Sequence, residues 1–303
     1  MLEGSKILVT GATGQVAYPL ARSLAARNEV WAAARFSDPA KRQGLEAAGV
    51  RCAPVDLTSG DFSALPEDFD AVFHLAVARS GEADFDADLR ANAESVGLLM
   101  AHCRRARAFL HCSTTGVYHF KGHEELVESD PLGDNHRAMM PTYSICKIAA
   151  EAVARTEARQ LGLPTIIARL NTPYGDNGGW MYFHLLMMKK GIPIPVHSDA
   201  PSVYTPIHDD DILELMPRLL AHASVPAHIV NLCGQEHVSI EQWCSYMGEL
   251  TGLEPKFAPT DATLESVVSS NARLREWVGR GAEVGWKEGL RRMIEARHPD
   301  WLV

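Results

Sequence analysis

Lys6-Ile-Leu-Val-Thr-Gly-Ala-Thr-Gly-Gln-Val-Ala17 is the stretch that decides the fold. Residues 6–10 are a short run rich in apolar and β-branched side chains, as in a strand. Gly11 and Gly14 follow at once, and residues 16–26 then read as an apolar helical segment. A strand, a glycine turn and a helix in that order let the backbone approach a pyrophosphate at the helix N-terminus. Ala17 stands where a third glycine often sits and is small enough for helix–strand packing.

Working outward, strand-like runs recur at residues 30–34, 50–54, 71–76, 108–113 and 164–170. Helical stretches lie between them at residues 39–48, 88–106 and 144–160. This alternation predicts an α/β fold, a Rossmann-type doubly wound parallel sheet. Beyond Asn171 it weakens. Residues 176–179 read as a flexible loop, 180–190 as a helix, and the Pro-rich residues 191–202 as lacking long regular structure. Strands are expected at 203–207 and 228–232 around a helix at 210–222, with a mostly helical remainder from 239. The expected organisation is a dinucleotide-binding domain, residues 1–171 continued by 203–236. A smaller, mostly helical C-terminal substrate lobe is expected from residues 172–202 and 237–303.

Composition excludes several classes. A formal charge of −9 over 303 residues argues against a nucleic-acid partner. No apolar run is long enough to span a bilayer, so no membrane partner is expected. The N-terminus has no signal-peptide layout. Six cysteines without Cys-x-x-Cys spacing read as buried hydrophobes in a reducing, cytoplasmic setting. His119 and His123 are four apart, but Gly122 and the surrounding turn residues argue against a metal site.

The second strand ends at Ala34-Arg35. A guanidinium there offers donors to a 2′-phosphate, with Ser37, Lys41 and Arg42 nearby, which favours NADP over NAD. Arg35 as a solvated strand-end cation is the other reading. Asp56-Leu57, after the third strand, suits either an adenine amino group or a turn cap. Residues 143–147 (Tyr-Ser-Ile-Cys-Lys) open a helix, so Tyr143 and Lys147 lie one turn apart on one face. A phenol loses its proton near pH 10, and a nearby cation lowers that value toward neutral pH.

With Thr-Gly-Ala-Thr-Gly at 10–14, Asp56-Leu57, His74-Leu-Ala76, Asn92, Ser113-Thr-Thr-Gly-Val-Tyr118, Tyr143 and Lys147, Arg169-Leu-Asn-Thr-Pro-Tyr-Gly175 and Ile207-His-Asp-Asp-Asp211 in order, the chain resembles an extended short-chain dehydrogenase/reductase of the NAD-dependent epimerase/dehydratase type. The resemblance covers roughly residues 5–235. It implies Tyr143 as acid or base on a substrate oxygen, Lys147 on the nicotinamide ribose, Thr114 as hydroxyl partner and Ser113 as its support. It implies cofactor contacts at Gly11, Thr13, Gly14, Gln15, Val16, Arg35, Asp56, Leu57, Leu75, Ala76 and Asn92, and substrate contacts at Thr115, Asn171, Trp180 and Tyr204. Trp180 and its neighbours through Phe183 could equally be lobe core.

The implied activity is hydride transfer between a nicotinamide and a secondary alcohol or ketone of a small molecule. An NAD-dependent sugar or sugar-nucleotide epimerase is the alternative, and a non-catalytic NADP-binding sensor the distant one. In the family's dehydratases an Asp-Glu pair follows the catalytic Thr; here Thr115 and Gly116 cannot exchange a proton near neutral pH, which disfavours dehydration. The segment 202–204 lacks the Arg with which sugar-nucleotide enzymes hold the diphosphate. Relatives pair the helices matching residues 88–106 and 143–160 across a two-fold axis, which implies a homodimer.

Overall fold

The computed structural model describes residues 2–78 and 83–303. The chain forms two compact units: Met1–Thr114, Thr142–Arg169 and Leu213–Val230 make the first, and Thr115–Pro141, Leu170–Ile212 and Asn231–Val303 the second.

The first unit alternates β1 (Lys6–Thr10), α1 (Ala17–Ala25), β2 (Glu29–Ala34), α2 (Pro39–Ala47), β3 (Arg51–Pro54) and β4 (Ala71–His74). It continues through α3 (Phe85–Leu89), α4 (Ser95–His102), β5 (Ala108–Thr114), α5 (Tyr143–Leu161) and β6 (Thr165–Leu170). A seven-stranded sheet takes the order His228–Leu232, β6, β5, β4, β1, β2, β3. β1 runs parallel to both β2 and β4. The strand order therefore reverses at β1/β4, which opens a crevice at their carboxyl ends. The doubly wound α/β architecture expected from the alternation is present.

Side chains alternate across a sheet with period two. Leu8, Val72, Phe109 and Ile167 share one buried cluster with Val96, Leu99 and Met100 of α4 and Ala150, Ala154 and Ala158 of α5. The alanines fall four apart and form a flat stripe, so α5 can lie close to the strands. The same alternation carries Thr10, His74, His111, Ser113 and Arg169 onto that face further along each strand. An apolar layer thus gives way to a polar one at the carboxyl end of the sheet.

The helix expected over residues 88–106 is interrupted. α3 passes into a π-helical turn, Arg90–Glu94, before α4, which ends at His102. Single π turns inside helices accommodate an extra residue and recur at functional sites. Asn92 lies in this one; its Oδ1 accepts from the Ala78 N–H at 2.8 Å, and its Nδ2 donates to the carbonyls of Ala78 and Asp88.

The second unit packs Tyr118, Tyr174, Met181, Leu185 and Trp243 in its core, with helices Trp180–Lys189, Ile240–Thr251 and Trp286–Arg297. Residues 176–179, expected as a loop, instead turn a small hairpin: Gly178–Gly179 pairs with Pro173–Gly175. The strand expected at 203–207 divides into Val203–Tyr204 and Ile207–His208, which pair with different partners. Pro206 between them has no N–H to continue a ladder. The Pro-rich stretch holds a short strand, Ile194–Val196, against Phe257–Pro259. No described helix is long and apolar enough to cross a membrane.

Candidate active site

β1 ends in Thr10, and Gly11 turns the chain at φ +66°. A Cβ on Gly11 would stand 2.7 Å from the Ala76 Cα, so only glycine fits between the ends of β1 and β4. Gly14 closes the turn by donating to the Gly11 carbonyl at 2.8 Å. α1 then begins with no side-chain cap and no acidic residue in its first turn. Its N-terminal amides and positive dipole end are thus uncompensated by any side chain of the helix, the arrangement that receives a phosphate.

Arg35 is exposed at the end of β2. Asp56 caps the short turn after β3, its Oδ1 accepting from the Thr58 N–H and hydroxyl. Those bonds, with a smaller contribution from Arg35, hold its carboxyl below the usual carboxylate range. Leu57 packs against the main apolar cluster. Thr13, Gln15 and Val16 lie in the turn before α1, and Leu75 and Ala76 follow β4.

Tyr143 is the first residue of α5 and is half-buried; Lys147, one turn on, is 5 % exposed. The Lys147 ammonium donates to the Cys112 carbonyl of β5 at 2.9 Å. Thr114 ends that strand, so backbone and lysine fix strand and helix to one another. The N-terminal end of α5 is anchored separately: the Thr142 hydroxyl donates to the Asp88 carboxylate at 2.6 Å.

A third residue continues the stripe. Glu151 lies one turn beyond Lys147 and is 1 % exposed. Arg169 of β6 grips it through Nε at 2.9 Å and Nη2 at 2.7 Å, a bidentate pair. The Ser113 hydroxyl donates to the same carboxylate at 2.6 Å. Ser113 is thus held on Glu151, and its neighbour Thr114 carries the hydroxyl with a different setting. The sequence reading did not single out Glu151, although its spacing from Tyr143 and Lys147 was the available signal.

Two imidazoles complete the layer. Thr10 Oγ1 lies 2.8 Å from His74 Nδ1, and His74 stacks on His111 at 5.4 Å. Burial, with the Lys147 charge as a smaller contribution, pushes His74 down to about 3. His111 is depressed by the same causes. Both rings are neutral near pH 7, which spares the site two further cations beside the lysine.

In the second unit, Thr115 is 4 % exposed. Asn171 is engaged through both ends of its amide: Nδ2 donates to the Val267 carbonyl and Ser269 hydroxyl, and Oδ1 accepts from the Thr205 N–H. Tyr204 donates to the carbonyls of Leu264 and Glu265. Trp180 meets Tyr204 and Trp243 edge to face at 4.9 and 5.9 Å, within the aromatic core of that unit. Phe183 on the next turn is 61 % exposed.

A model of the NAD dependent epimerase/dehydratase family matches residues 7–233. Over 274 residues the chain is 26 % identical to a trifunctional UDP-glucose 4,6-dehydratase/UDP-4-keto-6-deoxy-D-glucose 3,5-epimerase/UDP-4-keto-L-rhamnose-reductase of Arabidopsis thaliana, covering 81 % of this chain and 39 % of that one. It therefore spans about two fifths of that relative's length. It is 31 % identical over 189 residues to the D-erythronate dehydrogenase of Cupriavidus necator, covering 55 % of this chain and 57 % of that one. A UDP-glucuronic acid 4-epimerase from Bacillus cereus, solved with UDP-glucuronic acid and NAD, superposes with a TM-score of 0.82 at 20 % identity, covering 96 % of this chain and 98 % of that one.

Proposed function

The chain belongs to the NAD-dependent epimerase/dehydratase family, and from that premise we propose that it moves a hydride between a nicotinamide dinucleotide and a secondary alcohol or ketone of a hydroxyl-bearing small molecule. The observation that carries this reading is the Tyr143–Lys147 stripe, with Lys147 tied at 2.9 Å to the strand that ends in Thr114. The residues present suit the dinucleotide: the Gly11 turn admits no side chain, and α1 offers an uncapped N-terminus. Gly11, Thr13, Gly14, Gln15 and Val16 would hold its pyrophosphate, and Lys147 and Asn92 its nicotinamide end. When bound, the dinucleotide supplies or accepts the hydride.

The remaining work falls to side chains. Tyr143 gives a proton to the substrate oxygen in reduction and takes it back in oxidation. The Lys147 ammonium attracts the negative charge that then develops on the tyrosine oxygen. Thr114 hydrogen-bonds the same substrate oxygen and orients it. Ser113, Glu151 and Arg169 keep β5, α5 and β6 in register, so these groups are held rather than recruited.

Tyr143→Phe tests the assignment. Loss of roughly 10²- to 10⁴-fold in turnover, with dinucleotide affinity retained, is expected; full turnover would sink it. The match to a multifunctional sugar-nucleotide enzyme keeps a second reading, an epimerase that oxidises and re-reduces one carbon. That enzyme must retain its NAD, so stoichiometric NAD on the purified protein without net redox turnover would favour it. The family description favours NAD, while Arg35 supports acceptance of a 2′-phosphate. Leu98 of α4 and Ile145 of α5 are 44 % and 37 % exposed, which supports a homodimer through these helices.

A further inference from the structure

Tyr143 is the first residue of α5, where a helix is least secure, because the N–H groups of a first turn have no partner within the helix. A Thr at the preceding position ordinarily closes such an end by accepting from one of those N–H groups. Thr142 makes no such bond, and the first turn of α5 carries no acidic side chain. The Thr142 hydroxyl donates instead to the Asp88 carboxylate at 2.6 Å, across 54 residues of sequence. Both residues are buried, at 6 % and 3 % exposure. The start of α5 is therefore placed by α3 rather than by a cap of its own. The negative charge that suits a helix N-terminus comes from that other helix.

Asp88 is also joined to the glycine turn. Its carbonyl accepts from the Asn92 Nδ2 at 2.8 Å, and the same carboxamide clasps the Ala78 N–H and carbonyl. Ala78 lies two residues past Ala76, whose Cα blocks any side chain at Gly11 and whose N–H reaches the Thr10 hydroxyl at 3.3 Å. The glycine turn, the segment after β4, Asn92, Asp88 and Thr142 thus form one connected chain that ends beside Tyr143. Every link lies within the first unit.

Tyr143 consequently stands between two anchors. One turn on, Lys147 is tied to β5 through the Cys112 carbonyl. On the other side, Thr142 is tied to Asp88. The lysine fixes the helix against Thr114, but a frayed first turn would still let the phenol swing. We propose that Asp88 is a positioning residue for Tyr143, holding it through Thr142 in a place set by the segment that flanks the glycine turn. This rests on the hydride-transfer reading and extends it to the residues that keep its acid in place. A displacement of about 1 Å at a reacting group can cost about 10²-fold in rate, which is the scale of what the clasp protects.

The test uses full-length protein labelled with 3-fluorotyrosine, as wild type, Thr142→Val, Thr142→Ser and Asp88→Asn, with Tyr143→Phe to assign the Tyr143 fluorine resonance. The wild type gives one narrow line that shifts when NAD is added. Thr142→Val keeps the side-chain shape but removes the donor, so its line broadens or splits and no longer follows NAD. Thr142→Ser restores the wild-type line. Asp88→Asn, still an acceptor but without charge, falls between them. With UDP-glucose and erythritol as probes, kcat falls about 10- to 100-fold in Thr142→Val, while KM and NAD affinity stay within about threefold. An unmoved line with wild-type kcat in Thr142→Val, or in Asp88→Asn where Thr142→Val does not fold, overturns the proposal. A Thr142→Ser variant as impaired as Thr142→Val also overturns it. Full turnover in Tyr143→Phe refutes hydride transfer by this tyrosine. Where the wild type turns over neither probe, the fluorine line decides the positioning by itself.

Discussion

Replacing Arg169 by Met should be among the most damaging single changes in the first unit, and replacing its partner as well should repair most of the harm. Both members of the pair are 2 % exposed, and the guanidinium holds Glu151 through two bonds of 2.9 and 2.7 Å. Arg169→Met leaves a buried carboxylate without its paired charge, held by the Ser113 hydroxyl. Breaking a buried pair from one side costs about 3–5 kcal/mol. Glu151→Gln keeps an acceptor for Ser113 but removes the negative charge that pairs with the guanidinium, at a similar cost. The double variant Glu151→Gln/Arg169→Met buries no unpaired charge. It should lie within about 1–2 kcal/mol of wild type, which makes the coupling energy of the cycle larger than about 3 kcal/mol. Urea unfolding followed by circular dichroism measures all four corners. Turnover should remain low in the double variant, because Ser113 and α5 are no longer drawn to one carboxylate and Tyr143 and Lys147 lose their registration with Thr114. Single variants that cost less than about 1 kcal/mol, or a double variant equal to the sum of the singles, would refute the reasoning.

Other consequences follow from titrating groups and close packing. Burial raises the Asp209 carboxyl to about 7 against the Asn177 N–H that bonds it, so the folded state favours the protonated form. Its contribution is therefore fully favourable below about pH 4 and is lost as pH rises to about 7, a loss of about 4 kcal/mol. Asp209→Asn should melt well above wild type at pH 8 and close to it at pH 4; equal melting at both values would contradict this. His184 is pushed down to about 4 by burial, and its Nδ1 accepts from the Trp243 Nε1 at 2.9 Å. This group's stability is complete above about pH 6.5 and falls by about 3 kcal/mol as pH drops to about 4. His184→Gln should flatten that part of the pH–stability curve, measured by urea midpoints. Gly11→Ala would press a Cβ to 2.7 Å from Ala76 and adopt a left-handed φ, so dinucleotide binding should fall at least tenfold by fluorescence titration. Arg35→Asp should weaken NADP more than NAD in the same titration, and equal losses would count against a phosphate role for Arg35.

How much of this was legible in advance depends on the range over which each feature is decided. The glycine turn after β1, the alternation of strands and helices, and the Tyr143–Lys147 stripe are set by residues within a few positions of one another. Local periodicity and the demands of a tight turn are enough to read them. The family motifs in their order extended that reading to the doubly wound sheet. What could not be read was set by pairing between distant segments. Glu151 shares the spacing of the stripe, but its partners are Ser113 and Arg169, which only neighbouring strands of the sheet bring to one carboxylate. The break of the 88–106 helix into a π turn depends on Asn92 clasping the Ala78 backbone after β4. The division of the 203–207 strand depends on which segments stand ready to pair on either side of Pro206. Gly116 read as the absence of an acid; the folded loop shows that its hydrogen makes room for His136. Sequence alone determined the chemistry-bearing groups and the class of fold, because these follow from local geometry. Tertiary structure alone decided which groups are held, paired or left open, because burial and hydrogen-bond partners exist only once distant strands and loops have met.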